Sequence, residues 1–146
     1  QFISEKEGTT IQEVTNSLNK ESGFLGVSGI SSDIRDLEIA LEQGSARAKL
    51  SMDIQDKAIA DTIASYSVYM GSVDAICFTA GLGENSSRMR SAICERLSLL
   101  DVEIDDELNN VRGKERLISK PSSKVKVYLL PTDEELVIAR DTQELL

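Results

Sequence analysis

The chain has 146 residues, with 25 acidic against 16 basic side chains and a formal charge of −9, a balance that repels polyphosphate surfaces and argues against nucleic acid as a partner. No apolar run reaches the ~20 residues of a membrane span, and the opening QFISEKEG lacks the basic-then-apolar order of a signal peptide, so no membrane is expected. Histidine is absent; this removes Ser/His and Cys/His nucleophiles and leaves carboxylates, Arg/Lys, backbone amides or an oxygen-bound metal such as magnesium to carry any chemistry.

Thr10-Ile11-Gln12-Glu13 fits a capping box, which predicts a helix from about Ile11 to Lys20 with Ile11, Val14 and Leu18 on its inner face. The glycine-broken SGFLGVSG, residues 22 to 29, reads as a loop or short strand. A helix follows over DIRDLEIALEQG, with Ser32 able to cap it, Ile34, Leu37 and Leu41 on one face, and Gly44 as the stop. The spacing then predicts a long helix from near Ser45 to Met70. Leu50, Ile54, Ile59, Ile63, Tyr66 and Met70 form its expected buried stripe, and Arg47, Lys49, Asp53, Lys57 and Asp61 its wet face.

VDAICFTA, residues 73 to 80, has little polarity and reads as a strand buried on both faces. Ser87 to about Leu99 reads as helix, VEID and 115–119 as weaker strands, and KVKVYLLP as a strand through Val125, Val127 and Leu129. A second capping box, Thr132 to Glu135, opens the last helix. Cys77 and Cys94 lie in apolar patterns and read as reduced core residues, which points to the cytoplasm. The sum is a mixed α/β layer fold. The chain also begins without methionine in polar sequence, which reads as a piece of something longer.

Three stretches carry candidate chemistry. AGLGEN, residues 80 to 85, stands where a strand gives way to a helix, and glycines there allow close backbone approach or positive φ. Free amides and the helix start would suit a phosphate, and Arg88 and Arg90 oppose the macrodipole unless an anion is near. The corner lacks the full dinucleotide and P-loop patterns, so a plain tight turn with arginines in water stays open. Asp33-Ile34-Arg35, at another helix start, suits a ribose and a planar base, or else an ordinary capped helix with local ion pairs. Thr132-Asp133-Glu134-Glu135 offers hard oxygens for magnesium, or only its capping box.

Together, LNKESGFLGVSGISSDIRDL (18–37), RAKL with the helix after it (from Arg47), VDAICFTAGLGENSSRMR (73–90) and LLPTDEELVIARDT (129–142) resemble the C-terminal part of the acetate kinase family over nearly the whole chain. The resemblance implies a ribonuclease-H-like domain of the actin-like ATPase superfamily, a mixed sheet flanked by helices, with residues 1–146 as the C-terminal nucleotide-binding domain. It implies ATP/ADP and magnesium as cofactors, acetate as the small carboxylate substrate, and a homodimer. Carried over by motif, Asp33, Ile34 and Arg35 would line the nucleoside pocket, Gly81, Leu82, Gly83, Glu84 and Asn85 would run along adenosine and phosphates, and Glu134 would help hold magnesium. The family has Gly where Ala80 stands, commonly Ile at Leu82 and Asn at Asp133. Its acetate pocket and catalytic Asp, His and Arg residues come earlier in the full protein, so no catalytic residue is expected in this chain. The alternatives are a propionate or butyrate kinase of the same family, or an inactive folding and dimerisation module.

Overall fold

A computed structural model describes residues 1–145, the side chain of Glu134 excepted. The chain divides into two compact units, Gln1–Asp56 and Lys57–Leu146.

In the first unit, helix α1 (Phe2–Glu7) ends at Gly8, whose φ of 66° closes it in the left-handed region. Helix α2 (Ile11–Lys20) begins as its sequence requires: the Glu13 amide donates to Thr10 Oγ1 at 3.2 Å and the Thr10 amide donates to Glu13 Oε2 at 2.8 Å. Its expected inner face is not buried, since Ile11 and Leu18 are 64% and 57% exposed. SGFLGVSG is neither loop nor strand but helix α3 (Gly23–Ser28), stopped by Gly29 at φ 68°. Tertiary bonds hold this short helix. Arg47 is exposed, as expected, and also donates from Nε to the Ser28 carbonyl at 3.1 Å and from Nη2 to the Val27 carbonyl at 2.6 Å. It thereby satisfies carbonyls that a helix end leaves open.

Helix α4 (Ile34–Glu42) is capped by Asp33 rather than Ser32, because the Asp33 carboxylate accepts the Arg35 amide at 2.9 Å. Leu37 is fully buried against Ala48 and Met52, with Phe24, Ile34 and Leu41 packed around them. Helix α5 (Ala46–Met70) follows, and the unit boundary falls within it. Its buried side chains are Ala48, Ser51, Met52, Asp56 and Ala60, and of the expected stripe Ile59 and Ile63 are half-buried against the core. Leu50, Ile54, Tyr66 and Met70 are 50–64% exposed. Small side chains permit close helix packing, and apolar residues recur around this whole helix, so spacing alone could not select the buried row. Lys49–Asp53 and Lys57–Asp61 pair across one turn on the wet side, as expected.

The second unit is built on a three-stranded mixed sheet in the order β1-β3-β2. Strands β1 (Ala75–Phe78) and β3 (Lys126–Leu129) run parallel with Phe78 opposite Leu129, and β2 (Arg116–Leu117) is antiparallel to β3. VEID contributes only an isolated bridge, Ile104 to Ser119. β1 is covered on one face rather than two: Ile76 and Phe78 are buried, Ala75 and Cys77 exposed. Cys77 is therefore not a core residue, whereas Cys94 is, and burial pushes its thiol pKa up to about 12.

Two helices, α6 (Ala80–Asn85) and α7 (Ser87–Arg96), follow β1, then a 3₁₀ turn at Ser98–Leu100 and α8 (Asp106–Asn109). Met89, Ile93 and Leu97 form the predicted buried row and pack with Ile76, Phe78, Ile118, Val127 and Leu129. Helix α9 (Glu134–Glu144) ends the described chain. Its cap is Asp133, whose Oδ1 accepts the Leu136 amide at 2.9 Å, not the expected Thr132. Among the described residues no helix is long and apolar enough to cross a membrane.

Candidate functional site

Parallel pairing decides where a site can form. β1 and β3 end in register at Phe78 and Leu129, and the Leu130 amide donates to the Phe78 carbonyl at 2.9 Å. Segments 79–84 and 130–133 therefore leave the same edge of the sheet side by side. In open α/β sheets, ligands settle outside the carboxyl ends of such strands. Here the two segments enclose an open cavity of about 520 Å³ lined by Ala80, Gly81, Glu84, Thr132, Asp133 and Glu135.

A single carboxylate joins the two walls. Glu84 Oε1 accepts the Thr132 amide at 3.0 Å and the Thr132 hydroxyl at 3.3 Å. Glu84, an acid where phosphate is expected, thus spends one oxygen on the opposite segment, 48 residues away in sequence.

The corner is itself a short helix, and its residues divide by direction. Left-handed backbone falls on Ala80, with φ 59°, and not on either glycine of the corner. Gly83 is buried, and a Cβ there would meet Phe78 atoms at 3.4–3.7 Å, so its small size serves helix-to-strand packing. Gly81 differs: it lies at the cavity, and a Cβ there would meet nothing within 4 Å beyond its own helix and chain neighbours. Neither φ nor packing requires glycine at 81, which leaves that space for something outside the chain. Leu82 is half-buried against the sheet core, and the exposed Asn85 donates from Nδ2 to the Gly81 carbonyl at 2.8 Å. The Thr79 side chain makes no cap bond to the first turn of α6, whose leading amides have no partner inside the helix.

The arginines do not behave alike. Arg88 is half-buried. Arg90, expected to face an anion, is instead fully buried beneath the corner and donates to the Gly83 carbonyl at 2.8 Å. Ser86 caps α7 through its hydroxyl, which accepts the Met89 amide at 3.2 Å.

The acetokinase family model matches residues 1–140. The chain belongs to the acetokinase family. It is 53% identical over 144 residues to the acetate kinase of Aster yellows witches'-broom phytoplasma (strain AYWB), covering 99% of this chain and 35% of that protein. The crystal structure of Porphyromonas gingivalis acetate kinase is similar with a TM-score of 0.87 and 43% identity, covering 98% of this chain and 36% of that one. A propionate kinase from Francisella tularensis subsp. tularensis SCHU S4 gives 0.88 and 36% identity, over 99% and 37% of the two chains. The chain thus spans about a third of the length of these relatives. The expected α/β fold, a mixed sheet flanked by helices, is the fold observed.

Within this acetokinase chain the motif residues are divided between the two units. The corner and Thr132-Asp133 share one cavity in the second unit, while Asp33, Ile34 and Arg35 belong to the first. There the Asp33 carboxylate takes Arg35 Nε at 3.0 and 3.1 Å and pairs with its Nη2, and Ile34 packs beside Leu37. The Arg35 side chain remains 82% exposed. It pairs with Asp33. The Glu134 side chain, the expected magnesium ligand, lies outside the described residues.

Ala80 and Thr132 fall inside the stretches that the sequence marks, but neither has a site role of its own there; Thr132 serves as the partner of Glu84 across the cavity and not as the cap of α9. Among the described residues no group of three or more Asp, Glu, Cys or His side chains is placed to hold a metal. Isolated carboxylate oxygens around an open cavity still fit magnesium, which is commonly held by one or two carboxylates, waters and substrate phosphates.

Proposed function

We propose that this chain is the C-terminal, nucleotide-binding part of an acetate kinase, which moves the γ-phosphoryl group of ATP to acetate and returns ADP, reversibly. One observation carries the reading. Two segments leaving the ends of paired parallel strands are latched by Glu84 and Thr132 around a cavity into which Gly81 projects no side chain.

In this reading the first-turn amides at Ala80 and Gly81 receive phosphate oxygens, with Leu82, Gly83 and Asn85 shaping the corner behind them. Asp33, Ile34 and Arg35 contact the nucleoside. Glu84 acts by fixing Thr132 rather than by touching phosphate. Glu134 would hold magnesium, with Asp133 and Glu135 next to it in sequence, and the ion would supply positive charge against the phosphates. Three carboxylates line the cavity, Glu84, Asp133 and Glu135, so a nucleotide free of metal meets like charge there. Positioning and charge neutralisation are what this wall supplies to in-line transfer. The groups that bind and choose acetate, propionate or butyrate belong to the family's remaining length, and the isolated chain is expected to be inactive.

Calorimetric titration with Mg-ADP tests the reading. Binding is expected for the chain and is expected to fall at least ~tenfold in Gly81→Val, whose branched side chain enters the cavity, with folding, checked by circular dichroism, kept because an added Cβ meets nothing within 4 Å beyond its own helix and chain neighbours. No heat at millimolar Mg-ADP would favour the other reading, a folding and pairing module. The exposed Tyr66, Val68, Tyr69 and Met70 at the end of α5 are what speaks for that alternative.

A further inference from the structure

Arg90 is the largest fully buried side chain of the chain. Burial disfavours its charge and draws the guanidinium pKa below the ordinary arginine value. A buried cation persists only when its donors are met, and here each arm of the fork is occupied. Nε donates to Asn109 Oδ1 at 2.7 Å, Nη1 to the Gly83 carbonyl at 2.8 Å, and Nη2 to the carbonyls of Asn109 and Val111 at 2.7 and 2.8 Å.

Asn109 is held in turn, since its Nδ2 donates to the Ser87 carbonyl and to Ser91 Oγ, both at 2.9 Å. The loop beyond it returns to the corner, where the Gly113 amide donates to the Glu84 carbonyl at 3.2 Å. The carbonyls of Gly83 and Glu84, consecutive in the corner, are therefore both fixed from below. Their peptide planes set the direction of the corner, and residue 84 carries the carboxylate that latches Thr132.

The geometry points to Arg90 as a positioning residue for the nucleotide's phosphates, acting through the Gly83 carbonyl and making the 109–113 loop a structural part of the same site. The inference rests on the nucleotide reading above and deepens it. Arg90 touches no ligand. A planar guanidinium suits four acceptors in one plane, and a lysine ammonium keeps the charge without the fork.

The test compares the parent chain with Arg90→Lys and with Asn109→Ala, a milder change that removes one of the four acceptors. Titration with Mg-ADP and with adenosine separates phosphate contacts from nucleoside contacts, and amide hydrogen exchange reports the corner without any ligand. Arg90→Lys is expected to weaken Mg-ADP about tenfold while adenosine stays within about twofold, with Asn109→Ala showing a smaller loss of the same kind. Exchange should accelerate at residues 82–85 and not in α5. Equal loss of both ligands, or unchanged Mg-ADP affinity in both variants, overturns the inference. If Arg90→Lys does not fold, Asn109→Ala decides by the same criteria. A parent chain that binds adenosine and Mg-ADP alike, or neither, sinks the phosphate reading itself; exchange then still decides the brace, upheld by acceleration confined to 82–85 and overturned by uniform acceleration.

Discussion

Asp33 makes two kinds of bond with one neighbour, accepting the Arg35 amide as a helix cap and pairing with the Arg35 guanidinium. The guanidinium first, and the amide second, pull its carboxyl pKa from 3.8 to about 2. The sign follows from linkage: a carboxylate with a folded pKa below its unfolded one stabilises the fold at pH above about 3.8, and that contribution is lost as pH falls toward 2. A carbon-detected NMR titration of Asp33 should show a midpoint near 2, moving toward 3.8 in Arg35→Ala. A midpoint of 3.8 in the parent chain would contradict the pairing. This cap was half legible. Local chemistry announced a helix start at SSDIR, but three adjacent residues can all cap, and only the backbone angle at Asp33, φ −90° and ψ 124°, selects one. Arg90 was misread for a related reason: its partners lie 7, 19 and 21 residues away, beyond any pattern of the helix it sits on.

At the scale of elements, the junction of β1 and α6 carries backbone strain. Ala80 adopts φ 59° where the resemblance notes glycine in the family. A left-handed alanine costs roughly 1–2 kcal/mol, and glycine gives back part of that through a freer unfolded chain. Ala80→Gly should therefore stabilise by about 0.5–1 kcal/mol and raise the melting midpoint by a few degrees, read by circular dichroism; an unchanged or lower midpoint would place the strain elsewhere. Elements whose cause is local were legible, as with the Thr10–Glu13 box and the Met89, Ile93, Leu97 row. Elements held by distant bonds were not. α3 exists because Arg47 and Ser51 reach back 19 to 27 residues to its carbonyls, and three glycines gave the segment the look of a loop. β1 seemed doubly buried because Ala75 and Cys77 are apolar, yet small sulfur and methyl groups sit on an open face without penalty.

For the whole molecule, the site depends on what sheet topology brings together. Residues 80–84 and 132–135 were each noticed in the sequence, but their meeting was not, because parallel pairing of β1 with β3 spans about fifty residues and Glu84 to Thr132 spans 48. Family resemblance supplied that juxtaposition before geometry did, and the physics of the strand ends supplies its reason. A second cavity, of about 480 Å³ between α1 and α2, is lined by Ile3, Val14 and Leu18 among others and offers mostly apolar surface. The two cavities give a nucleotide a clear choice of chemistry. The most direct measurement is a ¹⁵N–¹H correlation spectrum of the chain titrated with Mg-ADP. The account predicts the largest shifts at the amides of residues 80–84 and 132–135, with residues 3–18 unmoved; shifts centred on 3–18, or none at millimolar Mg-ADP, would contradict it.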